Sequence, residues 1–485
     1  MLRATPPVIR SWIAGLPSGL RATALFAVGI VWSRGVGLLM VPVLTAYLPP
    51  AAFGRLELLT SAAEIGGLMV GAGLVETLFR FAGPNHPSER RAAGDVMGLT
   101  LALAAICLVC ILLLGPKLAA AMPLPTPPVE IALLGVLIVA DAIIGVPLGW
   151  LRITGSARRH AVASGLRASL QAGLVALLLV AGFGVAGVLA GGAIAASLAA
   201  CWLVRSQAKA TGIGCDPRAW PPLLAYGVPL IGTGVASFVL GSADRWLLAG
   251  HVPTASLGHY ALATRFAMIV AMLMQPFDMW WYARRIALLE QSDGLVRTAT
   301  AIRIGVAGIA SAAAATAAAG PFLIHLLAPA TYAPAMPMVP FLVLSLSLQM
   351  LSSLVNVGCY IGRTTTLPLV VNVAAAAVAL GLYLLLIPEH GVFGAIEATL
   401  AAQSVRLVAF TVLAQRRIRI ALPYGTTAVL ALLAAASGTI PQLLGTAPLG
   451  LACAVAAALG TALAAAASLR APCSAPGAAG RARSG

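Results

Sequence analysis

The sequence predicts an all-α fold, a polytopic membrane helical bundle of about 14 spans. Composition, the length of the apolar runs and the placement of basic residues lead there. Of 485 residues 60% are hydrophobic and only 9% charged, and the mean hydropathy is +0.98. Soluble domains carry about 25% charged residues, so a soluble fold of this length would lack the polar surface to meet water. In a bilayer every backbone polar group must be paired internally, which leaves helices or closed barrels. The apolar runs are about 20 residues long and do not alternate, so they read as helices.

The expected spans are 22–47, 56–80, 94–115, 129–150, 162–182, 184–205, 221–249, 258–283, 301–327, 337–361, 366–387, 392–414, 422–443 and 447–469. The N-terminal basic residues Arg3, Arg10 and Arg21 precede a long apolar run with no small-residue cleavage site, which reads as an uncleaved first span. With the N-terminus cytoplasmic, most of the 30 Lys+Arg fall on the cytoplasmic side, including Arg90, Arg91, Arg158, Arg159, Arg284, Arg285, Arg416 and Arg417. The opposite loops hold only Arg55 and Lys117. This asymmetry predicts a multi-pass protein of the bacterial cytoplasmic (inner) membrane with both termini inside. It also accounts for the net charge of +16 without nucleic acid, since there is no long basic run. The loops are too short for a soluble catalytic domain, so the chain is not expected to be an enzyme. The seven cysteines form no zinc-like set, and Cys107 and Cys110 read as packing residues in an apolar helix. No metal or cofactor is expected.

Two segments share a pattern at an offset of 204 residues: AAFGRLELLTSAAEI (51–65) and ASLGHYALATRFAMI (255–269). A second pair, GVAGVLA from Gly184 and GVFGAIE from Gly391, lies at an offset of 207. The repeat unit is therefore about six spans. An even number of spans gives both copies the same orientation, related by an axis along the membrane normal, a known transporter design. The predicted organisation is a cytoplasmic N-terminus (1–21), a six-helix half (22–205), a linker (206–220), a second six-helix half (221–414), two extra spans (422–469) and a cytoplasmic tail (470–485). Spans 1, 2, 7 and 8 are expected to line a central cavity.

Ionisable groups inside a bilayer are costly and face a partner or a cavity. Arg34 lies in the first span. Glu57, Thr60, Ser61 and Glu64 share one face of the second at i, i+3, i+4, i+7 spacing. Asp141 and Arg167 sit in the fourth and fifth. Thr233, Ser237 and Asp244 fall on one face of the seventh beside Arg245, and Arg265 lies in the eighth. Glu397, Gln403 and Arg406 occupy the twelfth. The functional reading is a water-filled cavity with substrate-binding candidates Arg34, Ser61, Arg245, Arg265 and Arg406, and with ion-coupling candidates Glu64, Asp141, Asp244 and Glu397. The alternative is helix–helix ion pairing, for example Arg34 with Glu64. Pro42, Pro147, Pro229 and Pro276 interrupt spans, and Gly67/Gly71 and Gly187/Gly191 have the spacing for close helix contact.

The stretch GLLMVPVLTAYLPPAAFGRLELLTSAAEIGG, from Gly37, resembles the opening of the polysaccharide-exporting flippases of the multidrug/oligosaccharidyl-lipid/polysaccharide (MOP) exporter superfamily. Ala46 stands where that family often has Arg. The stretch LLAYGVPLIGTGVASFVLGSADRWLLAGHVPTASLGHYALATRF is similar to the family's seventh and eighth spans, including Asp244-Arg245 and the Gly258/Tyr260 pair. LRITGSARRHA and IPEHGVFGAIEATLAA carry further likeness, and the whole covers about residues 20–415. The resemblance implies translocation of an undecaprenyl-pyrophosphate-linked oligosaccharide for polysaccharide or lipopolysaccharide export. The partners would be the lipid-linked cargo, membrane lipids and the polysaccharide polymerisation machinery. Guanidinium groups match phosphate geometry, and the carboxylates would couple H⁺ or Na⁺. The rival readings are a multidrug antiporter of the same superfamily, a membrane glycan polymerase or ligase, and a membrane scaffold.

Overall fold

The computed structural model describes residues 18–71, 73–82, 89–361, 366–420, 422 and 448–470. The described residues are overwhelmingly helical, without a strand among them. Ten of their helices are long and apolar enough to cross a membrane. The expected thirteenth span, 422–443, lies outside the described residues apart from Leu422, as do most of the N-terminal segment and nearly all of the tail.

The chain divides into two compact units, Met1–Phe238 and Val239–Gly485. In the first, α1 (Ser18–Tyr47), α2 (Pro50–Gly71), α3 (Leu74–Phe81), α4 (Glu89–Ala121), α5 (Pro128–Ile153), α6 (Ala157–Val180) and α7 (Gly184–Thr211) follow one another through short connections. The next helix, α8 (Trp220–Gly241), begins in this unit. The division thus falls inside α8 and not in the linker 206–220. The reason is packing: Leu223 of α8 is buried in one cluster with Leu74, Leu78, Met97 and Trp150. A Cβ on Gly73 would lie 2.6 Å from the Gly227 carbonyl oxygen, so backbone meets backbone there. A second cluster joins α5, α6 and α7 through Ala140, Ile144, Ala163, Ala196 and Leu203.

The second unit holds α9 (Asp244–His251), α10 (Thr254–Ala267), α11 (Ile269–Leu289), α12 (Gly294–Leu327), α13 (Val339–Val355), α14 (Thr366–Arg417) and α15 (Pro448–Arg470). Short 3-10 turns, Ala330–Met338 and Asn356–Tyr360, flank α13. The alanine-rich α12 packs against α11, α13 and α15. Although α14 runs for 52 residues, Gly391 breaks it with φ 56° and ψ −127°. That conformation is nearly closed to any residue with a Cβ, so α14 is two helices, matching the expected spans 366–387 and 392–414.

The repeat shows in the element boundaries. Helix α2 starts at Pro50 and α10 at Thr254, the 204-residue offset. The glycines at the 207-residue offset, Gly184 and Gly391, both have positive φ, 53° and 56°. Each lets the chain reverse into the helix that follows.

All four span prolines lie inside helices: Pro42 in α1, Pro147 in α5, Pro229 in α8 and Pro276 in α11. The two glycine pairs behave differently. Gly187 and Gly191 press on Leu178 and Val175 of α6, whereas Gly67 and Gly71 meet nothing within 4 Å. Cys107 is half-buried, but Cys110 is exposed and does not pack in the core. The spacing of one turn cannot tell which side of α4 meets a neighbour.

Candidate functional site

In the first unit, Asp141 of α5 and Arg167 of α6 form an ion pair through Oδ1 and Nη2. The two helices bring together residues 26 positions apart, and the pair flanks a cavity of about 300 Å³. Ser33 of α1 and Ser164, Arg167 and Gln171 of α6 give this cavity its polar lining, with Ile144, Leu148 and Leu203 as its apolar wall. Trp32 donates an indole N–H to Ser169 at 3.1 Å and ties α1 to α6 beside it. Arg167 Nε is buried without a hydrogen-bond partner among the described residues. The cavity therefore offers hydroxyl, amide and guanidinium groups, the chemistry that receives sugar or phosphate oxygens.

The other candidates of this unit lie on α1, α2 and α8. Arg34, next to Ser33, is exposed on α1. On α2, Glu57 and Ser61 are buried, Thr60 is half-buried and Glu64 is exposed. The predicted shared face is therefore graded from buried to open along the helix. The side chain of Thr233 lies outside the described residues.

In the second unit, Asp244 and Arg245 sit at a helix break. Arg245 Nη1 donates to the Gly241 carbonyl at 2.9 Å, and Asp244 Oδ1 accepts from the Arg245 backbone N–H at 2.9 Å. The two side chains thereby supply partners for the end of α8 and the start of α9, which a broken membrane helix would otherwise leave unpaired. Tyr260 of α10 donates its hydroxyl to Asp244 Oδ2. Elsewhere in this unit, Tyr383 and Thr399 join the two halves of α14 at 2.8 Å. Asp244 and Arg245 are 4% and 7% exposed, so they are built into the core rather than lining an open surface.

Arg265 is half-buried in the last turn of α10, just before the hitch at Met268 that starts α11. Arg406 is half-buried in α14. Its Nε donates to Asn372 Oδ1 at 2.9 Å and its Nη1 to Gln403 Oε1 at 3.4 Å, and its guanidinium lies 5.5 Å from the Phe410 ring centre. Glu397 is exposed beside the Gly391 break and pairs with His390 at 2.8 Å.

Three groups escaped the sequence reading. Glu130, 3% exposed at the start of α5, accepts from Arg55 of α2 at 3.1 Å. Arg285, expected in a loop after span 258–283, is instead 5% exposed in α11, which continues to Leu289. Asp278, half-buried in α11, has no partner among the described residues. Asp278 and Glu130 both carry a signal, as carboxylates inside the expected spans 258–283 and 129–150. Arg285 falls just beyond span 258–283, among the residues expected at the cytoplasmic side.

A solved lipid II flippase, MurJ in an inward closed conformation, matches this fold with TM-score 0.70 and 11% identity over 92% of this chain and 98% of that one. An inward-facing multidrug resistance MATE transporter of the MOP superfamily matches with TM-score 0.60 and 15% identity, covering 84% and 95%. A MOP superfamily transporter from Pyrococcus furiosus matches with TM-score 0.52 and 17% identity, covering 81% and 96%. A search of curated proteins gives no significant match. The fold is shared with these solved structures. The chain belongs to the polysaccharide biosynthesis protein family, whose sequence profile matches residues 20–282.

Proposed function

We propose that the protein is a flippase carrying an undecaprenyl-pyrophosphate-linked oligosaccharide across the bacterial cytoplasmic membrane for polysaccharide or lipopolysaccharide export. It would work by alternating access with a cationic central cavity, with both termini cytoplasmic. The observation that carries this reading is membership in the polysaccharide biosynthesis family by a chain whose span-embedded charges include so many arginines. A cation idle in hydrocarbon costs about 2.5–3.5 kcal/mol on insertion scales. A diphosphate passing through would neutralise it, and guanidinium groups bind phosphate oxygens in pairs. The lipid II flippase of the same fold supports a lipid-linked cargo.

Arg34, Arg265 and Arg406, with Ser61, are assigned to the anionic cargo. Arg245 and Asp244 are assigned to shaping the broken helix from which the cargo is met. Among the carboxylates assigned to H⁺ or Na⁺ coupling, Asp141 is best placed, since neutralising it would release Arg167 beside the cavity. Glu64 and Glu397 are more exposed. Delivery to the polysaccharide polymerisation machinery follows from the cargo.

The test is a vesicle assay with a fluorescent polyprenyl-diphosphate oligosaccharide, run beside surface-glycan measurements in cells. Arg265→Ala should abolish export at near-normal protein level, and Arg265→Lys should rescue only in part because ammonium lacks the bidentate fork. Full export by a well-expressed Arg265→Ala variant would remove that residue from the site. The likeness to MATE transporters favours one rival, a multidrug antiporter. Extrusion of cationic drugs with no movement of the lipid-linked probe would establish it.

A further inference from the structure

Among the described residues, the second unit contains a pair of arginines that no carboxylate neutralises. Arg285 is 5% exposed, with its guanidinium carbon 4.5 Å from the Tyr282 ring centre and 4.2 Å from that of Tyr360. Its Nη1 donates to Asn356 Oδ1 at 2.9 Å. The segment Asn356–Tyr360 in turn presses on the second half of α14. Cys359 Sγ lies 3.9 Å from the Phe410 carbonyl oxygen, and a Cβ on Gly358 would lie 2.6 Å from that of Ala414. Phe410 carries the guanidinium of Arg406. One packed element thus connects two arginines from different helices. Every partner either guanidinium has among the described residues is neutral: Asn356, Tyr282, Tyr360, Asn372, Gln403 and Phe410. Nε and Nη2 of Arg285 and Nη2 of Arg406 have none.

The surroundings leave the charge in place. Arg417, three turns beyond Arg406 in α14, donates to the Ile361 carbonyl at 2.9 Å, so the C-terminal end of α14 meets the end of the same turn. Arg284 and Arg416 add positive charge near the ends of α11 and α14. Of the acidic residues after α11, Glu290 is exposed and Asp293 is engaged by Arg297 at 2.7 Å. Arginine held by aromatic faces and amides keeps its spare donors oriented, and neutral partners leave its full charge for an anion.

We infer that Arg285 and Arg406, bridged by Asn356–Tyr360, form a docking site for the phosphate headgroup of a lipid, at the end of the second unit where the basic residues gather. Its occupant is the diphosphate of the cargo lipid, an identification that rests on the flippase reading above. The site shares Arg406 with the cargo residues assigned above and adds Arg285 to them. The cargo would meet it at the charged membrane face, before the apolar interior.

The experiment uses the purified full chain in zwitterionic nanodiscs, titrated with farnesyl diphosphate and, separately, with phosphatidylglycerol, and read by native mass spectrometry. Wild type should bind farnesyl diphosphate, Arg285→Gln and Arg406→Gln should each weaken it at least about tenfold, and Arg297→Gln should leave it unchanged. Equal binding by wild type and both Gln variants would overturn the site while leaving the flippase reading intact. Arginine-dependent binding of phosphatidylglycerol without binding of farnesyl diphosphate would overturn the cargo assignment. No binding of either lipid by wild type would overturn the site outright. A measurement on unaltered protein guards against a misfolded Arg285→Gln variant. A diazirine-bearing prenyl diphosphate should label peptides containing Tyr282–Leu289 or Asn356–Ile361, and labelling confined to other segments would overturn the proposal.

Discussion

Arg55 in α2 and His259 in α10 occupy aligned positions of the repeat, one turn into corresponding helices. Arg55 bonds Glu130 at the start of α5 at 3.1 Å, while His259 bonds the Thr331 carbonyl at 2.9 Å, just before α13. Both contacts fasten the second helix of a unit to the entry of its fifth. In one unit a salt bridge does it, in the other a single hydrogen bond to backbone. The contrast recurs deeper in the spans. Arg167 of the first unit faces the carboxylate of Asp141, whereas Arg406 of the second faces the amides of Asn372 and Gln403. A common packing plan thus carries two charge patterns. The first unit neutralises these cations internally, and the second leaves its own available.

The largest effect should come from breaking the buried pair. Arg55→Ala would strand Glu130, whose Oε2 is already buried without a partner. Removing one member of a buried ion pair costs about 3 kcal/mol or more. His259→Ala should cost only about 1 kcal/mol, the worth of an ordinary hydrogen bond. Denaturant titration in detergent compares them, and adding Glu130→Gln to Arg55→Ala should recover much of the loss. Equal losses for Arg55→Ala and His259→Ala would erase the contrast.

Next come the glycines that the units share. Gly184→Ala and Gly391→Ala should each destabilise by roughly 1–2 kcal/mol, because a Cβ strains a positive-φ backbone. Similar melting shifts would sharpen the structural equivalence of the two sites, and a loss at only one would break it.

Asp141→Asn should alter stability by about 1 kcal/mol or less, since the pair is partly open to solvent. Its main effect should fall on coupling: transport should lose its dependence on the driving ion gradient while cargo binding persists. Unchanged gradient dependence would remove Asp141 from the coupling set. The smallest effect is expected of Arg297→Gln. The Arg297 hydrogen bond holds the exposed Asp293 below the usual carboxylate range. Whatever stability this pair adds is present at neutral pH and fades as pH falls through the lowered value. Unfolding curves of Arg297→Gln and wild type should therefore differ slightly at neutral pH and converge once the pH falls below the lowered value.

Much of the fold was legible in one dimension. Hydropathy marked the spans because burial in lipid is a local transfer energy, summed along about 20 residues. The Gly391 break was visible as a short polar interruption, IPEHG, between two apolar runs. Even the repeat left matching glycines in the chain. The site was less legible. Asp141 and Arg167 stood out as charges inside spans, yet nothing in their spacing told that they would meet. Glu130 and Arg285 looked like end and loop residues and proved to be buried.

By itself the sequence determined that this chain crosses a membrane many times, where most of its helices run and that two halves repeat. Only the tertiary structure decided which charges are neutralised. It gave Gly187 and Gly191 a helix to press against and left Gly67 and Gly71 open. It set Arg167 against a carboxylate and Arg406 against amides. The physical reason is that hydropathy and helix-breaking act within one segment. Neutralising a charge depends on which face of a distant helix is turned toward it, and that is fixed only when the bundle packs.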